Sequence, residues 1–332
     1  MGFDKEEWKY PSADGVRTVN ATVYLPHKEP KAVVQISHGM CEYIDRYQPF
    51  MTYLAEHDFL VCGNDHIGHG RSIGSPIMKG DFGPENGPKN LVKDVHTLTK
   101  KVREQYPDTP YFLLGHSMGS FVARLYMAAY PDLLDGVILS GTAGPNPAVK
   151  GGILLARLIA ATKGKNYRSV QLDKLAFGRF NDRILDRRTD KDWLTRDNQV
   201  VSQYRRDPNC MFLFTAKGYE DLFTMSSWAN HPDWAVRVRK DLPILLLSGD
   251  MDPVGDYGKG VSKVYEMLLD AGVKDVNLRL YRDGRHEMLN EVNRDQVYAD
   301  ILQWILAHLP QGEHQMAMRV DPEMVAPVSG NE

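Results

Sequence analysis

The run Tyr111-Phe-Leu-Leu-Gly-His-Ser-Met-Gly-Ser-Phe-Val-Ala-Arg-Leu-Tyr-Met-Ala-Ala129 decides how this chain folds. Its first four residues are a short apolar stretch of the kind that forms a buried strand. From Met118 the apolar residues recur at helical spacing until Pro131 stops them. Between the two lies Gly115-His-Ser-Met-Gly119, a Gly-x-Ser-x-Gly pattern in the strand–turn–helix context that a nucleophile elbow requires. The physics behind the pattern is steric. A turn this tight forces backbones together, so Gly115 and Gly119 carry no Cβ, and Ser117 is pushed out at the carboxyl end of the sheet. The Met118 N–H, at the helix start, then faces any negative charge that develops beside the serine.

Working outward, strand and helix signals alternate. Thr18–Leu25 alternates apolar and polar residues, Ala32–Ser37 and Phe59–Asn64 are short apolar runs, and Tyr47 to Ala55 has helical spacing between them. Leu91–Gln105 reads as an amphipathic helix and Gly136–Ser140 as a strand. The rhythm resumes with Pro243–Ser248, a helix over Lys259–Ala271, a strand at Val276–Tyr281 and a closing helix over Val292–Leu309. Such alternation predicts an α/β fold with a mostly parallel sheet and helices on both faces. The segment between Ser140 and Asp241 breaks it. Residues 148–240 hold 18 Lys/Arg against 10 Asp/Glu in a chain whose net charge is −3, and they show helical stretches without buried strands. The expected organisation is a sheet core over 1–147 and 241–310, a helical insertion at 148–240, and a mobile tail at 311–332.

A serine hydroxyl needs a base, and the base needs an orienting acid. His286 lies in the loop Arg282-Asp-Gly-Arg-His286 after a predicted strand, which faces it to the same rim as Ser117. The strand Pro-Ile-Leu-Leu-Leu-Ser248 is followed by Gly249-Asp-Met-Asp252, offering Asp250 and Asp252. With Asp252, the chain order is Ser117, Asp252, His286, the order found on α/β-hydrolase sheets. A second oxyanion donor belongs in the loop after Ala32–Ser37, where His38-Gly39-Met40 makes the Met40 N–H the candidate beside that of Met118.

With these pieces together the chain resembles the monoacylglycerol lipase and lysophospholipase branch of the α/β-hydrolases, the group labelled serine aminopeptidase S33-like. The resemblance is carried by SHGMCEYIDRY (Ser37–Tyr47), NDHIGHGRS (Asn64–Ser72), GHSMGS (Gly115–Ser120), SGDMDPV (Ser248–Val254) and DGRHE (Asp283–Glu287). It implies that the acid is Asp252, that the insertion is a helical cap forming an acyl pocket, and that the activity is ester hydrolysis through an acyl-enzyme, with monoacylglycerol, lysophospholipid or similar small acyl esters as substrates and no cofactor or metal. Two positions depart from the group's His-Gly-x-Gly-Glu-His loop: Cys41 stands where it has Gly, and Tyr43 where it has His.

Other features compete for attention. Gly68-His-Gly-Arg-Ser-Ile-Gly74 is one residue off a dinucleotide fingerprint and reads as a tight loop. Asp65, His66 and His69 lack a further ligand cluster and also read as loop structure. Three cysteines, Cys41, Cys62 and Cys210, follow no metal or disulfide spacing. With no apolar leader or spanning run, they point to a cytoplasmic protein. Net charge gives no case for nucleic acid. Gly152–Ala161 could touch a membrane surface through the cap. Phe212, Phe223 and Trp228 are candidates for lining the acyl pocket. The competing functional classes are a non-catalytic binder on the same fold and amide or peptide hydrolysis.

Overall fold

The computed structural model describes residues 2–310, so the tail expected at 311–332 lies outside the described residues. One sheet contains eight strands: β1 (Phe3–Pro11), β2 (Thr18–Pro26), β3 (Val33–Ser37), β4 (Leu60–Asn64), β5 (Tyr111–His116), β6 (Gly136–Ser140), β7 (Ile244–Gly249) and β8 (Val276–Tyr281). Their spatial order is β1-β2-β4-β3-β5-β6-β7-β8. β1 and β2 form an antiparallel pair, β2 runs antiparallel to β4, and the strands from β4 to β8 are parallel. The chain steps from β3 toward one edge and returns at β5 to build toward the other. β3 and β5 are therefore neighbours whose carboxyl-end loops diverge, the place where open α/β sheets bind ligands.

The parallel strands are buried on both faces, as apolar runs predict. Successive residues of β5 and β7 enter opposite cores. Leu113, Ile244 and Leu246 join the cluster under α2 (Gly87–Gln105), α3 (Met118–Ala129) and α9 (Lys259–Asp270). Phe112, Leu114, Leu245 and Leu247 join the one under α1 (Gln48–Glu56) and α10 (Arg294–Ala307). This is the two-residue period of a strand turned into two layers of helix.

β1 was not among the predicted strands. Its sequence, Phe-Asp-Lys-Glu-Glu-Trp-Lys-Tyr-Pro, buries only Phe3 and Tyr10 fully. It lies at the sheet edge, paired on one side only. Edge strands tolerate charge because solvent faces them, and charge discourages pairing with a second chain; the same charge hides the strand from an apolar-pattern reading.

Between β6 and β7 the chain makes five helices: α4 (Ala148–Lys163), α5 (Val170–Phe177), α6 (Asn198–Arg206), α7 (Ala216–Ala229) and α8 (Pro232–Val236). α7 packs against α4 and onto α3 of the sheet layer. A buried cation fastens this junction. The Arg124 guanidinium, on α3, donates to Ala143 O at 3.0 Å, to Ala229 O and to Asn230 Oδ1 at 3.1 Å, and lies over the Trp234 ring. Carbonyl dipoles and an aromatic face thus satisfy a charge that would be costly to bury alone.

Candidate active site

The turn from β5 to α3 is as strained as its sequence implies. Ser117 has φ +52° and ψ −118°, a conformation that costs an L-residue about 1–3 kcal/mol. Three bonds hold it: Ser117 N–H donates to Ser140 O at 2.9 Å, and Ser120 donates to Ser117 O from its N–H at 2.9 Å and from its Oγ at 2.5 Å. A Cβ on Gly119 would collide with the Ser37 carbonyl, so helix and strand meet at a distance only glycine permits.

His286 and Asp252 form a buried pair. Nδ1 of His286 lies 3.0 Å from each Asp252 oxygen. Asp252 also accepts from Val254 N–H at 2.9 Å and Ser248 Oγ at 3.1 Å. Burial alone would raise the carboxyl's pKa, but the imidazole and these donors hold it below the usual carboxylate value. Burial alone would lower that of His286, yet the Asp252 charge and hydrogen bond outweigh it and the net shift is upward from 6.5. Neighbouring His116, with ring centroids 4.7 Å apart, is pushed down to about 4 by burial and by His286, and so stays neutral. Gly141 makes room for the imidazole, since a Cβ there would stand 3.0 Å from the His286 ring. Of the two candidate carboxylates, Asp252 reaches His286; Asp250 has one buried oxygen with no partner and no bond to the ring.

Ser117 and His286 open into one cavity of about 550 Å³, which Met40 and Met118 also line. Neither the Met40 nor the Met118 N–H donates to a protein acceptor. The upper walls come from the helices between β6 and β7. Phe212 and Phe223 line the cavity, as expected for pocket candidates. Trp228 does not: it is 41% exposed and absent from the lining. A helix advances about 100° per residue, so two residues beyond cavity-lining Ser226 the side chain is turned about 200° away. The aromatic wall beside His286 is instead Phe177, Phe180 and Trp193, with the Trp193 ring 5.2 Å from that imidazole. The Trp193 and Leu194 carbonyls accept the His286 and Glu287 N–H groups at 3.3 and 2.7 Å.

The sequence reading missed the ion network beneath the loop that carries Met40. Arg46 donates to Glu287 at 2.8 and 2.7 Å and to Glu42 at 2.9 Å, all three side chains being nearly buried. Glu42 also accepts from Gly39 N–H and, at 2.8 Å, from Tyr47 Oη. One guanidinium thereby ties the loop carrying Met40 to the loop carrying His286. Glu-x-x-x-Arg at Glu42–Arg46 was a visible spacing; its partner, 241 residues away, was not.

Both departures in the loop bond to the segment between β6 and β7. Cys41, in the left-handed region at φ +53°, donates its thiol to Phe212 O at 3.3 Å, and Tyr43 Oη donates to Asp207 at 2.7 Å. Burial pushes the Cys41 thiol up to about 12, so it is an uncharged donor and a poor nucleophile at neutral pH. Asp65 and His66 are bound within the fold, Asp65 by Ile44 N–H and Arg71, and His66 by Ser37 and His38.

A doubly wound sheet with a strained serine at a strand–helix turn, and a His–Asp pair from later strands, defines the α/β-hydrolases. Residues 28–293 match the family model described as serine aminopeptidase, S33, and the chain belongs to that family. It is 29% identical to the monoacylglycerol lipase of Mycolicibacterium smegmatis over 92% of this chain and 98% of that one. It is also 29% identical to the monoglyceride lipase of Mus musculus over 85% and 84%. Among solved structures, a thermostable carboxyl esterase from Bacillus coagulans, in complex with glycerol, superposes with a TM-score of 0.87. The two are 32% identical, over 92% of this chain and 99% of that one.

Proposed function

We propose that the chain hydrolyses small acyl esters, monoacylglycerol first among them, through an acyl-Ser117 intermediate. The observation that carries this reading is the buried Asp252–His286 pair facing, with Ser117, into an apolar-walled cavity of about 550 Å³. Asp252 accepts a hydrogen bond from His286 Nδ1–H, which leaves the Nε2 lone pair free. As Ser117 Oγ attacks the carbonyl carbon, its proton passes to Nε2, and the new imidazolium is stabilised by Asp252. The Met40 and Met118 N–H groups receive the oxyanion. Nε2 then returns the proton to the departing alcohol oxygen, and a water activated by the same nitrogen releases the acid and restores Ser117. The family match and the lipase and esterase relatives support an ester-hydrolysing enzyme of the serine type.

The test compares wild type with Ser117→Ala on monoacylglycerol, lysophospholipid, p-nitrophenyl esters and aminoacyl amides, alongside fluorophosphonate labelling. Wild type should label and cleave esters; the variant should fold, fail to label and lose nearly all turnover. Residual turnover above about a hundredth of wild type would remove Ser117 from the role. Amide cleavage faster than ester cleavage would transfer the reading to peptide hydrolysis, and labelling without turnover on any of these would favour a binding protein.

Two further points belong to this reading. Leu154 and Leu158 on α4, Leu175 on α5 and Leu185 are large apolar side chains more than half exposed, and they suit transient contact with a lipid surface that supplies substrate. Among the described residues no helix is long and apolar enough to cross a membrane. The three cysteines are free, which suits the reducing cytoplasm.

A further inference from the structure

A second concavity, of about 380 Å³, is formed by α6 and the loop before it, a segment that also lends residues to the substrate cavity. Arg188, Arg205 and Arg206 line it with Thr189, Asn198 and Ser202, over a buried Val201 floor. No carboxylate is in the lining. The two cavities share their partition: Asp190, Lys191 and Tyr204, interleaved with these residues in sequence, line the larger one.

Arg188, Arg205 and Arg206 are exposed, whereas the more buried Arg17, Arg46, Arg71 and Arg196 each pair with a carboxylate. Arg188 and Arg206 have no ion-pair partner among the described residues, and the Asn198 and Ser202 side chains make no hydrogen bond there. The nearby acids are committed elsewhere. Asp192 accepts from the Arg188 and Thr189 N–H groups and from Thr189 Oγ1. Asp197 caps α6 and lies 3.5 Å from Arg294. Only Asp190 reaches into the set, at 3.2 Å from Arg205, and it is itself mostly exposed. Three arginines with no carboxylate around one concavity give it a local excess of positive charge, which suits a multivalent oxyanion that guanidinium, hydroxyl and amide donors can bond.

We propose that this cavity is a binding site for a phosphate group, built on the same segment that walls the substrate cavity. Free phosphate and the phosphate of a lipid headgroup present the same oxygens to it. The site stands independently of ester hydrolysis, because none of its lining residues lines the substrate cavity.

The experiment uses the full chain, the double variant Arg188→Gln/Arg206→Gln, and Ser117→Ala. Inorganic phosphate is titrated calorimetrically in a chloride buffer, and sedimentation is measured with phosphatidylcholine vesicles that do or do not contain phosphatidylglycerol. Turnover of a short soluble ester shows that the double variant is folded, since neither arginine lines the substrate cavity. Wild type and Ser117→Ala should bind alike, and the double variant should bind at least about tenfold more weakly. Saturable binding of phosphate, lost in the double variant, identifies a soluble ligand. A phosphatidylglycerol-dependent gain in sedimentation, lost in the same variant, identifies a headgroup. If neither probe binds, or if the double variant binds both as wild type does, the proposal is wrong. Because Ser117→Ala is scored by binding, loss of the ester-hydrolase reading would leave this result standing.

Discussion

Replacing Arg46 with glutamine should destabilise the protein most at neutral pH and least near pH 4–5. The side chain bridges Glu42 and Glu287, whose side chains are each 4% exposed. Removing it strands two buried carboxylates, a change that costs roughly 3–5 kcal/mol when one partner of a buried pair is lost. Glu42 keeps the Tyr47 hydroxyl and the Gly39 N–H, and Glu287 keeps Asn290 Nδ2 at 2.9 Å, so the lower figure applies. At roughly 2 °C per kcal/mol for a chain of this size, the melting temperature at pH 7 should fall by about 6 °C. The sign of the pH dependence follows from Glu287. Burial would raise its pKa, but Arg46 holds it below the ordinary 4.5. A lowered folded-state pKa contributes stability that is complete above the unfolded value and lost as pH falls through the folded one. Without Arg46 burial prevails and the folded-state pKa rises, so the variant loses stability as pH rises, and its deficit against wild type widens from pH 5 to pH 8. The loop bearing Met40 loses its tie to the His286 loop at the same time. A misplaced donor should lower kcat by about tenfold or more with a smaller change in KM. Calorimetric melting of both proteins at pH 5 and pH 8, with ester kinetics at pH 7, checks each part. A deficit under about 1 °C, or one equal at both pH values, would refute the claim that this guanidinium neutralises the buried acids.

Asp252→Asn should lower turnover by up to ~10⁴-fold, because the amide cannot hold the imidazole with its proton on Nδ1, whereas Asp250→Asn should cost far less; a reversed ranking in esterase assays would move the acid two residues back. As the proposed base His286 must be neutral, and its pKa is raised from 6.5, so kcat/KM in wild type should fall on the acid side at a pH above 6.5. In Asp252→Asn, burial acts without the opposing charge, so the residual activity should fall off at a lower pH; a profile flat to about pH 4.5 in wild type would exclude a histidine base. Phe212→Ala and Phe223→Ala should flatten the preference for longer acyl chains, normally up to about fourfold in kcat/KM per buried methylene, while exposed Trp228→Ala should leave the ratio of long to short esters unchanged. An unchanged ratio in both phenylalanine variants would send the acyl chain elsewhere in the cavity.

Ser117, Asp252 and His286 could be proposed from the chain because each sits in a local pattern with a steric or connective cause. The elbow must have glycines on either side, and Asp252 and His286 follow strands whose apolar runs are visible, so parallel order alone carries them to one rim. The alternation also revealed the sheet from β2 onward. Strand β1 stayed hidden because its charged residues face solvent at an edge, where burial imposes no pattern. The helical phase of the segment between β6 and β7 was equally hidden. Composition shows that aromatics are present there, but only packing against α3 turns Phe223 inward and Trp228 outward, and only the path of the loop before α6 brings Trp193 beside His286. Arg46 could be seen to lie four residues from Glu42; that it also grips Glu287 depends on two sheet loops meeting. Sequence determines what neighbours along the chain must do, through sterics and period. Which distant charges share a buried site is decided by the tertiary fold, because desolvation favours the pairing only after the backbone has brought them within hydrogen-bond reach.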